Sequence, residues 1–148
     1  MTVRFRPARR EDVAAVVALL RDDALGAGRE GEDLSAYLAA FDRIAGEADN
    51  MLIVGAADGT VAACYQITFI TGLSLSAARR AQIEGVRVSP ALRGQGVGAA
   101  LVADAEARAR AAGCTLIQLT TNRSRADAHR FYERLGFTPS HIGYKRDL

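Results

Sequence analysis

The sequence predicts one domain of the α+β or α/β class, because segments with the two-residue period of strands alternate with segments of helical period. The chain has 148 residues, which is the usual size of one domain with one hydrophobic core. Apolar residues make up 49% of it and charged residues 24%, as in an ordinary globular protein. Since no repeat, low-complexity tract or linker interrupts residues 1–148, a single domain is expected.

The first half of the chain predicts a strand, two helices and a hairpin. Val13, Val16, Val17 and Leu20 have the spacing of one helical face. The glycines at 26–31 end that helix, and Asp58-Gly59 supplies the positive φ that a short hairpin turn needs. The other predicted elements are a strand over Thr2 to Arg6, a helix over Asp33 to Ala48, and strands over Met51 to Ala56 and Thr60 to Thr71.

The second half predicts three strands and two helices. Pro90 ends the first strand, because proline cannot donate to a ladder, and Gly113 and Gly136 end the two helices. The predicted elements are strands over Ala81 to Ser89 and Thr115 to Thr121, helices over Val97 to Ala112 and Ser124 to Leu135, and a last strand within Thr138 to Leu148.

Charge, hydropathy and metal-ligating residues exclude several classes of protein. The net charge of +2 does not by itself indicate a nucleic-acid partner, and no window approaches the ~18 apolar residues of a membrane span. The N-terminus lacks the apolar core of a signal peptide, so a cytoplasmic location is expected, with Cys64 and Cys114 as buried thiols. His129 and His141 stand apart from any cluster with ligand spacing, so no metal site is predicted.

The stretch Arg93-Gly94-Gln95-Gly96-Val97-Gly98 lies where a predicted strand turns into a predicted helix. The first helical turn presents N–H groups without intrahelical partners, together with the positive end of the helix dipole. Glycines let a ligand approach the backbone closely, and Arg93 adds a cation able to form two hydrogen bonds. The stretch therefore predicts a site for a phosphate or pyrophosphate, with a tight packing turn as the alternative.

The two common nucleotide-binding fingerprints fit this stretch poorly. A P-loop requires Gly-Lys-Ser/Thr, which is absent from the turn. The dinucleotide fingerprint requires G-x-G-x-x-G and an acidic residue about 20 positions later, whereas the spacing here is G-x-G-x-G and Gln118 stands at that distance. A nucleotide-binding protein nevertheless stays open as an alternative.

Three segments in order resemble the GCN5-related N-acetyltransferases, the GNAT superfamily. The glycine stretch is similar to the family's Arg/Gln-x-x-Gly-x-Gly/Ala motif. Ile83 to Pro90 before it resembles the family's fourth strand, and Asn122 with Ala128 to Phe137 resembles its second cofactor motif. The resemblance implies the GNAT fold, an α+β class of the three-layer α/β type. Its mixed, mostly antiparallel sheet of six to seven strands is flanked by about four helices.

The resemblance also implies acetyl-CoA as co-substrate. The backbone of Arg93 to Gly98 would hold its pyrophosphate, and Val86, Arg87 and Val88 would pair with its pantetheine arm as an added strand. Gly85 is expected to mark a bulge that makes room for the arm. Asn122 would bind the arm through its amide, the alternative being that it caps the turn before a helix.

Two residues are candidates for the chemistry of acetyl transfer. Glu84 lies in an otherwise apolar strand, and a partly buried carboxylate is a better base near neutrality. The resemblance supports this role and implies that Tyr132 protonates the leaving thiolate. The alternatives are a surface or salt-bridged Glu84 and a Tyr132 that only packs in the core.

The predicted function is transfer of the acetyl group of acetyl-CoA to a primary amine of a small molecule, by direct attack in a ternary complex. Two alternatives stay open, an acyl-CoA sensor without turnover and acetylation of a protein or peptide amine. The acceptor would meet Leu25 to Tyr37 and Phe69 to Arg80, where Arg79 and Arg80 are candidates for an acidic group. Thr121 to Tyr132 locally resembles aminoalkylphosphonate N-acetyltransferases. No membrane or nucleic-acid partner is predicted, and a homodimer is the expected assembly.

Overall fold

A computed structural model describes residues 2–22, 24–31 and 33–148. The chain forms two compact units, Met1–Gln118 and Leu119–Leu148, each of which is described by itself. Glu32, which belongs to the segment Leu25 to Tyr37 expected to meet the acceptor, lies outside the described residues.

The first unit is built on a mixed sheet of five strands in the spatial order β1-β2-β3-β4-β5. β1 to β4 pair antiparallel, and β4 pairs with β5 in parallel, which confirms the predicted mixed and mostly antiparallel sheet. The strands are β1 (Arg4–Pro7), β2 (Asn50–Ala57), β3 (Thr60–Thr71), β4 (Arg79–Val88) and β5 (Leu116–Gln118).

The strand predicted near the C-terminus is not found, since residues 138–148 carry no strand. Pro139 has no N–H to donate, Gly143 weakens a strand, and the Ser140 N–H bonds locally to Thr138 O at 2.8 Å. The described residues therefore hold five strands, where the sequence predicts six to seven.

Four of the helices were predicted and two short ones were not. α1 starts at Val13 as its apolar spacing predicts, and α5 ends one residue before Ala112. α2 forms within the glycine-containing segment that was expected to break the helix. α4 is a single turn whose residues Leu75, Ser76 and Ala77 have positive φ. The helices are α1 (Val13–Arg21), α2 (Ala24–Arg29), α3 (Leu34–Ala45), α4 (Ser74–Ala77), α5 (Val97–Ala111) and α6 (Ala126–Arg134).

A helix packs on each face of the sheet of the first unit. On one face, α1 packs Val16 and Leu19 against Val54 and Cys64. On the other face, the hydroxyl of buried Tyr65 on β3 donates to Asp104 of α5 at 2.5 Å. The two faces of β3 therefore meet different helices, α1 and α5.

The two cysteines are free and buried, as the sequence predicts. Cys64 is 1% exposed, and this burial raises the pKa of its thiol to about 12. It is a packing residue of β3 and not a candidate acyl carrier.

A buried carboxylate fixes the start of α1. Asp12 accepts two hydrogen bonds from the Arg6 guanidinium, at 2.7 and 3.1 Å, and one from the Arg9 N–H at 2.7 Å. The hydrogen bonds from Arg6 lower the pKa of Asp12, against the effect of its burial. The chain between β1 and α1 is thus held by a charge-assisted contact.

Candidate active site

A β-bulge interrupts β4 beside the candidate base. Gln66 of β3 pairs with Glu84 and Cys64 pairs with Arg87, so that Gly85 and Val86 together stand opposite a single residue of β3. Gly85 has φ +61°, which is the left-handed conformation of the glycine at position 1 of a G1 β-bulge. The bulge predicted at Gly85 is confirmed.

The bulge shifts the alternation of side chains along β4 by one residue. Before it, Gln82 and Glu84 lie on the face of the sheet that carries α1, and after it Arg87 lies on that same face, opposite Cys64. Val88 pairs with Ala63 and faces the side of α5. The extra residue therefore keeps polar residues on one face and apolar residues on the other.

One edge of β4 is left open for most of its length. β5 pairs with Arg80, Ala81 and Gln82 only, and within the described residues no strand pairs with 83–88 on that side. An open edge offers N–H and C=O groups to an extended ligand. The Arg87 side chain donates to Val86 O at 2.9 Å, so one of these carbonyls already has a partner.

The glycine turn leads from β4 into α5. Gly94 and Gly96 have φ +76° and +80°, and a Cβ on either would meet no atom within 4 Å, so open space lies above the backbone. Gly96 is the N-cap residue of α5, and its carbonyl accepts the Ala100 N–H at 3.1 Å. The backbone amides between Gly96 and Ala100, including that of Gly98, belong to the first turn of α5 and have no partner within the helix. A first turn of this kind can hold an anion.

Two side chains support the turn from below. Val97 is 8% exposed and anchors the start of α5 in the core, so only its backbone amide can meet a ligand. Gln95 donates to Ala91 O at 3.1 Å, which braces the loop before the helix. The turn is therefore fixed by its own residues while its upper surface stays open.

Arg93 makes an ion pair that the sequence did not predict. Its guanidinium lies 3.2 Å from the carboxylate of Asp22, the residue that follows α1, and both side chains are about half exposed. No local spacing could indicate this pair, since the two residues are 71 positions apart. The cation predicted to bind a pyrophosphate is held by a carboxylate of the chain itself.

Glu84 is exposed, so the predicted partial burial is wrong. The residue lies at the bulge, beyond the part of β4 that pairs with β5. Its carboxylate is accessible to water.

Tyr132 lies in the second unit, on α6. Its ring packs edge-on against Phe131 and Phe137, with centroids 5.0 and 5.7 Å away, and the residue is half-buried. The aromatic packing weighed as an alternative role is thus present. Packing of the ring leaves the hydroxyl of a tyrosine able to form hydrogen bonds, so it is compatible with both packing and proton donation.

Asn122 also lies in the second unit and caps the turn before α6. Its Oδ1 accepts from Ser124 N at 3.0 Å and from Ser124 Oγ at 2.8 Å. Its backbone carbonyl lies 3.0 Å from His129 Nε2. Asn122 has the turn-capping role considered as the alternative, and His129 acts as its local partner.

The loops predicted to recognise the acceptor make internal contacts. Arg79 bonds to Asp49 at 2.9 Å, Thr71 at 2.7 Å and Ala112 O at 3.0 Å, so it is a structural residue and not a ready anion binder. Tyr37 of α3 donates to Glu30, the residue that follows α2, at 2.9 Å.

Within the described residues, no group of three or more histidine, cysteine or acidic side chains is placed to hold a metal ion. None of the described helices is long and apolar enough to cross a membrane.

The unpaired edge of β4 and the glycine turn at the start of α5 form an arrangement that can accept an extended ligand with a phosphate group. The chain belongs to the acetyltransferase (GNAT) family, whose model matches residues 13–137.

Three relatives show the range of similarity. A crystal structure of a transcriptional regulator from Bacillus halodurans C-125 is 43% identical, with a TM-score of 0.95, covering 99% of this chain and 100% of that one. The aminoalkylphosphonate N-acetyltransferase of Salmonella typhimurium is 46% identical over 67 residues, 45% of this chain, and the match spans only 44% of that enzyme's length. Glucosamine-6-phosphate N-acetyltransferase from Arabidopsis thaliana, 19% identical with a TM-score of 0.82 over 99% of each chain, shares the fold.

Proposed function

We propose that this protein is an N-acetyltransferase that moves the acetyl group of acetyl-CoA to a primary amine of a small molecule, by direct attack in a ternary complex. Residues 1–148 would act as one catalytic domain. The observation that carries the proposal is the open edge of β4 after the Gly85 bulge, which runs directly into the glycine turn.

The proposed co-substrate site uses backbone groups more than side chains. The amides of Gly94 to Gly98 and the Arg93 guanidinium would hold the pyrophosphate, and Val86, Arg87 and Val88 would pair with the amides of the pantetheine arm. Asn122 would contribute its amide nitrogen, since its Oδ1 already caps a turn. Acetyl-CoA supplies the thioester when it is bound, and the chain orients it.

The proposed chemistry needs one base and one acid. An alkylamine with a pKa near ~10.4 is mostly protonated at pH 7, so attack requires that a proton be removed first. Exposed Glu84 would take this proton, directly or through water. The Tyr132 hydroxyl would return a proton to the thiolate that leaves, and a backbone N–H of β4 would polarise the thioester carbonyl.

The test is release of free CoA thiol from acetyl-CoA with a panel of primary amines, including an aminoalkylphosphonate because a relative is named for that substrate. Glu84→Gln or Tyr132→Phe should lower kcat by about 100-fold while the Kd for CoA stays within about twofold. Glu133→Gln and Tyr144→Phe are matched controls, since both residues are exposed, and should retain activity. If no amine in the panel gives release above background, the proposed catalysis is wrong.

A second candidate function is an acyl-CoA sensor without turnover. The observation that favours it is the 43% identical relative described as a transcriptional regulator. Calorimetry with CoA, ATP and NAD separates the candidates. Tight CoA binding without turnover supports the sensor, whereas a preference for ATP or NAD contradicts both proposals.

A further inference from the structure

A band of carboxamide side chains crosses the sheet of the first unit next to Glu84. Strand register places four polar residues in one row across four strands, and Gln66 pairs with Glu84 in the adjacent row. The chain has four glutamines, and three of them lie in this band, which makes it an unusual concentration of amides. We call it the carboxamide platform, consisting of Asn50, Thr68, Gln82 and Gln118 in the first row and Gln66 and Glu84 in the second.

One chain of hydrogen bonds fixes the orientation of the amide beside Glu84. Asn50 Nδ2 donates to the Glu47 carboxylate at 2.9 Å, so Asn50 must turn its Oδ1 to the other side. That oxygen accepts from Gln66 Nε2 at 2.9 Å. The carbonyl Oε1 of Gln66 is thereby left to accept from a ligand, next to the carboxylate of Glu84.

A second pair of amides lies one row further along β4. Gln118 Nε2 donates to Gln82 Oε1 at 3.0 Å, which leaves the NH₂ group of Gln82 and the carbonyl of Gln118 to a ligand. If both amides are turned over, the two residues exchange roles. In either arrangement the pair offers one donor and one acceptor, the combination that a hydroxyl group satisfies.

The platform carries no cation of its own. Two arginines flank the platform on the same face of β4, and both engage other groups. Arg80 directs its guanidinium to the hairpin end, where it lies 3.4 Å from the position of a Cβ on Gly72, and Arg87 donates to Val86 O at 2.9 Å. An anionic tail over Gln82 and Gln118 would therefore meet amides instead of a cation, and it would lie near Glu84. An apolar tail would leave partly exposed amides desolvated without partners, which is unfavourable.

We infer that the carboxamide platform binds the acceptor of the proposed acetyltransferase, and that this acceptor is an uncharged primary amine carrying hydroxyl groups. The inference rests on the proposed function. Gln66 Oε1 and Glu84 hold the hydrogens of the amine nitrogen, so Gln66 is a positioning residue. Gln82 and Gln118 bind a hydroxyl two strand positions away, at roughly 7 Å along the strand, which matches a short amino alcohol.

The experiment compares three acceptors of similar size, 2-amino-1,3-propanediol, butylamine and 2-aminoethylphosphonate, in the full-length chain. The diol should have a kcat/KM at least about tenfold above the other two. Gln82→Met and Gln118→Met keep the side-chain length and should raise the KM for the diol about fivefold to tenfold, with little change for butylamine. Gln66→Met should impair all three amines. Thr60→Met, at an exposed polar residue of the hairpin between β2 and β3, should leave the ratio of diol to butylamine unchanged.

The outcomes separate this inference from the proposed function. If the enzyme prefers the phosphonate, or if the platform variants keep the preference for the diol, the inference about the platform is wrong. Either result leaves the proposed acetyltransferase function intact. If no amine turns over, the proposed function fails, and calorimetry of the diol against CoA-loaded protein decides the platform alone. If the diol binds and Gln82→Met weakens this binding, the role of the platform is supported. If the diol does not bind to the native chain, the role of the platform is overturned.

Discussion

The guanidinium of Arg93 and the carboxylate of Asp22 form an ion pair at 3.2 Å, which joins the glycine turn to the end of α1. A pyrophosphate at the turn would compete with this carboxylate for the same cation. We expect Asp22→Asn to tighten CoA binding by up to about fivefold, because an exposed pair is worth about 0.2–1 kcal/mol. The gain should shrink in high salt, and calorimetry at two salt concentrations measures both effects.

Asp42→Asn is the matched control for this prediction. Asp42 pairs with Arg10 at the same distance, 3.2 Å, with similar exposure, and its loss should leave the Kd for CoA unchanged. Weaker CoA binding in Asp22→Asn would show that Asp22 positions Arg93 for the ligand and does not compete with it.

Deletion of Gly85 should weaken CoA binding without preventing the chain from folding. Deleting Gly85 leaves Val86 opposite Tyr65 and every flanking residue on its present face, so the chain should fold with a regular ladder. We expect the loss of the bulge to close the edge of β4, and CoA binding should then weaken by about tenfold or more. Thermal unfolding and calorimetry measure the two effects.

Gly85→Ala should behave in the opposite way. A Cβ there would meet only Leu20, at an ordinary 3.8 Å, so the cost is that of the left-handed backbone, about 1–2 kcal/mol. The bulge stays, and CoA binding should change little. Gly46→Ala is the control, because φ is −85° at that position, and it should leave the free energy of unfolding unchanged. A deletion variant that binds CoA normally would contradict the role given to the bulge.

The contribution of Asp12 to the stability of the protein should decrease at acidic pH. Because hydrogen bonds from Arg6 lower the folded-state pKa of Asp12, its contribution is complete above the unfolded pKa of about 3.9 and is lost as the pH falls through the folded value. Asp12→Asn should therefore lower Tm by a constant amount from pH 5 to 8, and the difference should narrow below about pH 4. Thermal scans across this range test the prediction, which a widening difference in acid would contradict.

The hydroxyl of Tyr65 should stabilise the core between β3 and α5. It donates to Asp104, which also accepts from Arg108 at 2.8 Å, and Tyr65 is fully buried. Tyr65→Phe removes one donor but leaves Arg108 in place, so the free energy of unfolding should fall by about 1–2 kcal/mol. Urea unfolding measures the loss, and a double-mutant cycle with Asp104→Asn shows whether it belongs to this pair.

Local sequence patterns predicted the five strands and the four longer helices of the described residues, whereas the bulge at Gly85 was expected from the family resemblance. The alternation of polar and apolar residues in β4 slips by one position at Gly85, and the same slip appears in the register. The glycine turn was likewise predicted from residues that are neighbours in the chain. Period, turn chemistry and glycine positions carry this information because they act over a few residues.

Contacts between distant segments were not predictable in the same way. Asp22 meets Arg93 only because α1 packs on the sheet, and the amides of Gln82 and Gln118 meet only through the parallel pairing of β4 with β5. The exposure of Glu84 depends on the same register. The missing last strand had no strong apolar alternation to support it.

The slip at Gly85 also bears on how such a site can arise. Because the residues on both sides of Gly85 keep their faces, one inserted codon is enough to convert a regular strand into a bulged one. The packing on either face of the sheet would need no compensating substitution. The proposed co-substrate site in this sheet would therefore be gained by one insertion and lost by one deletion.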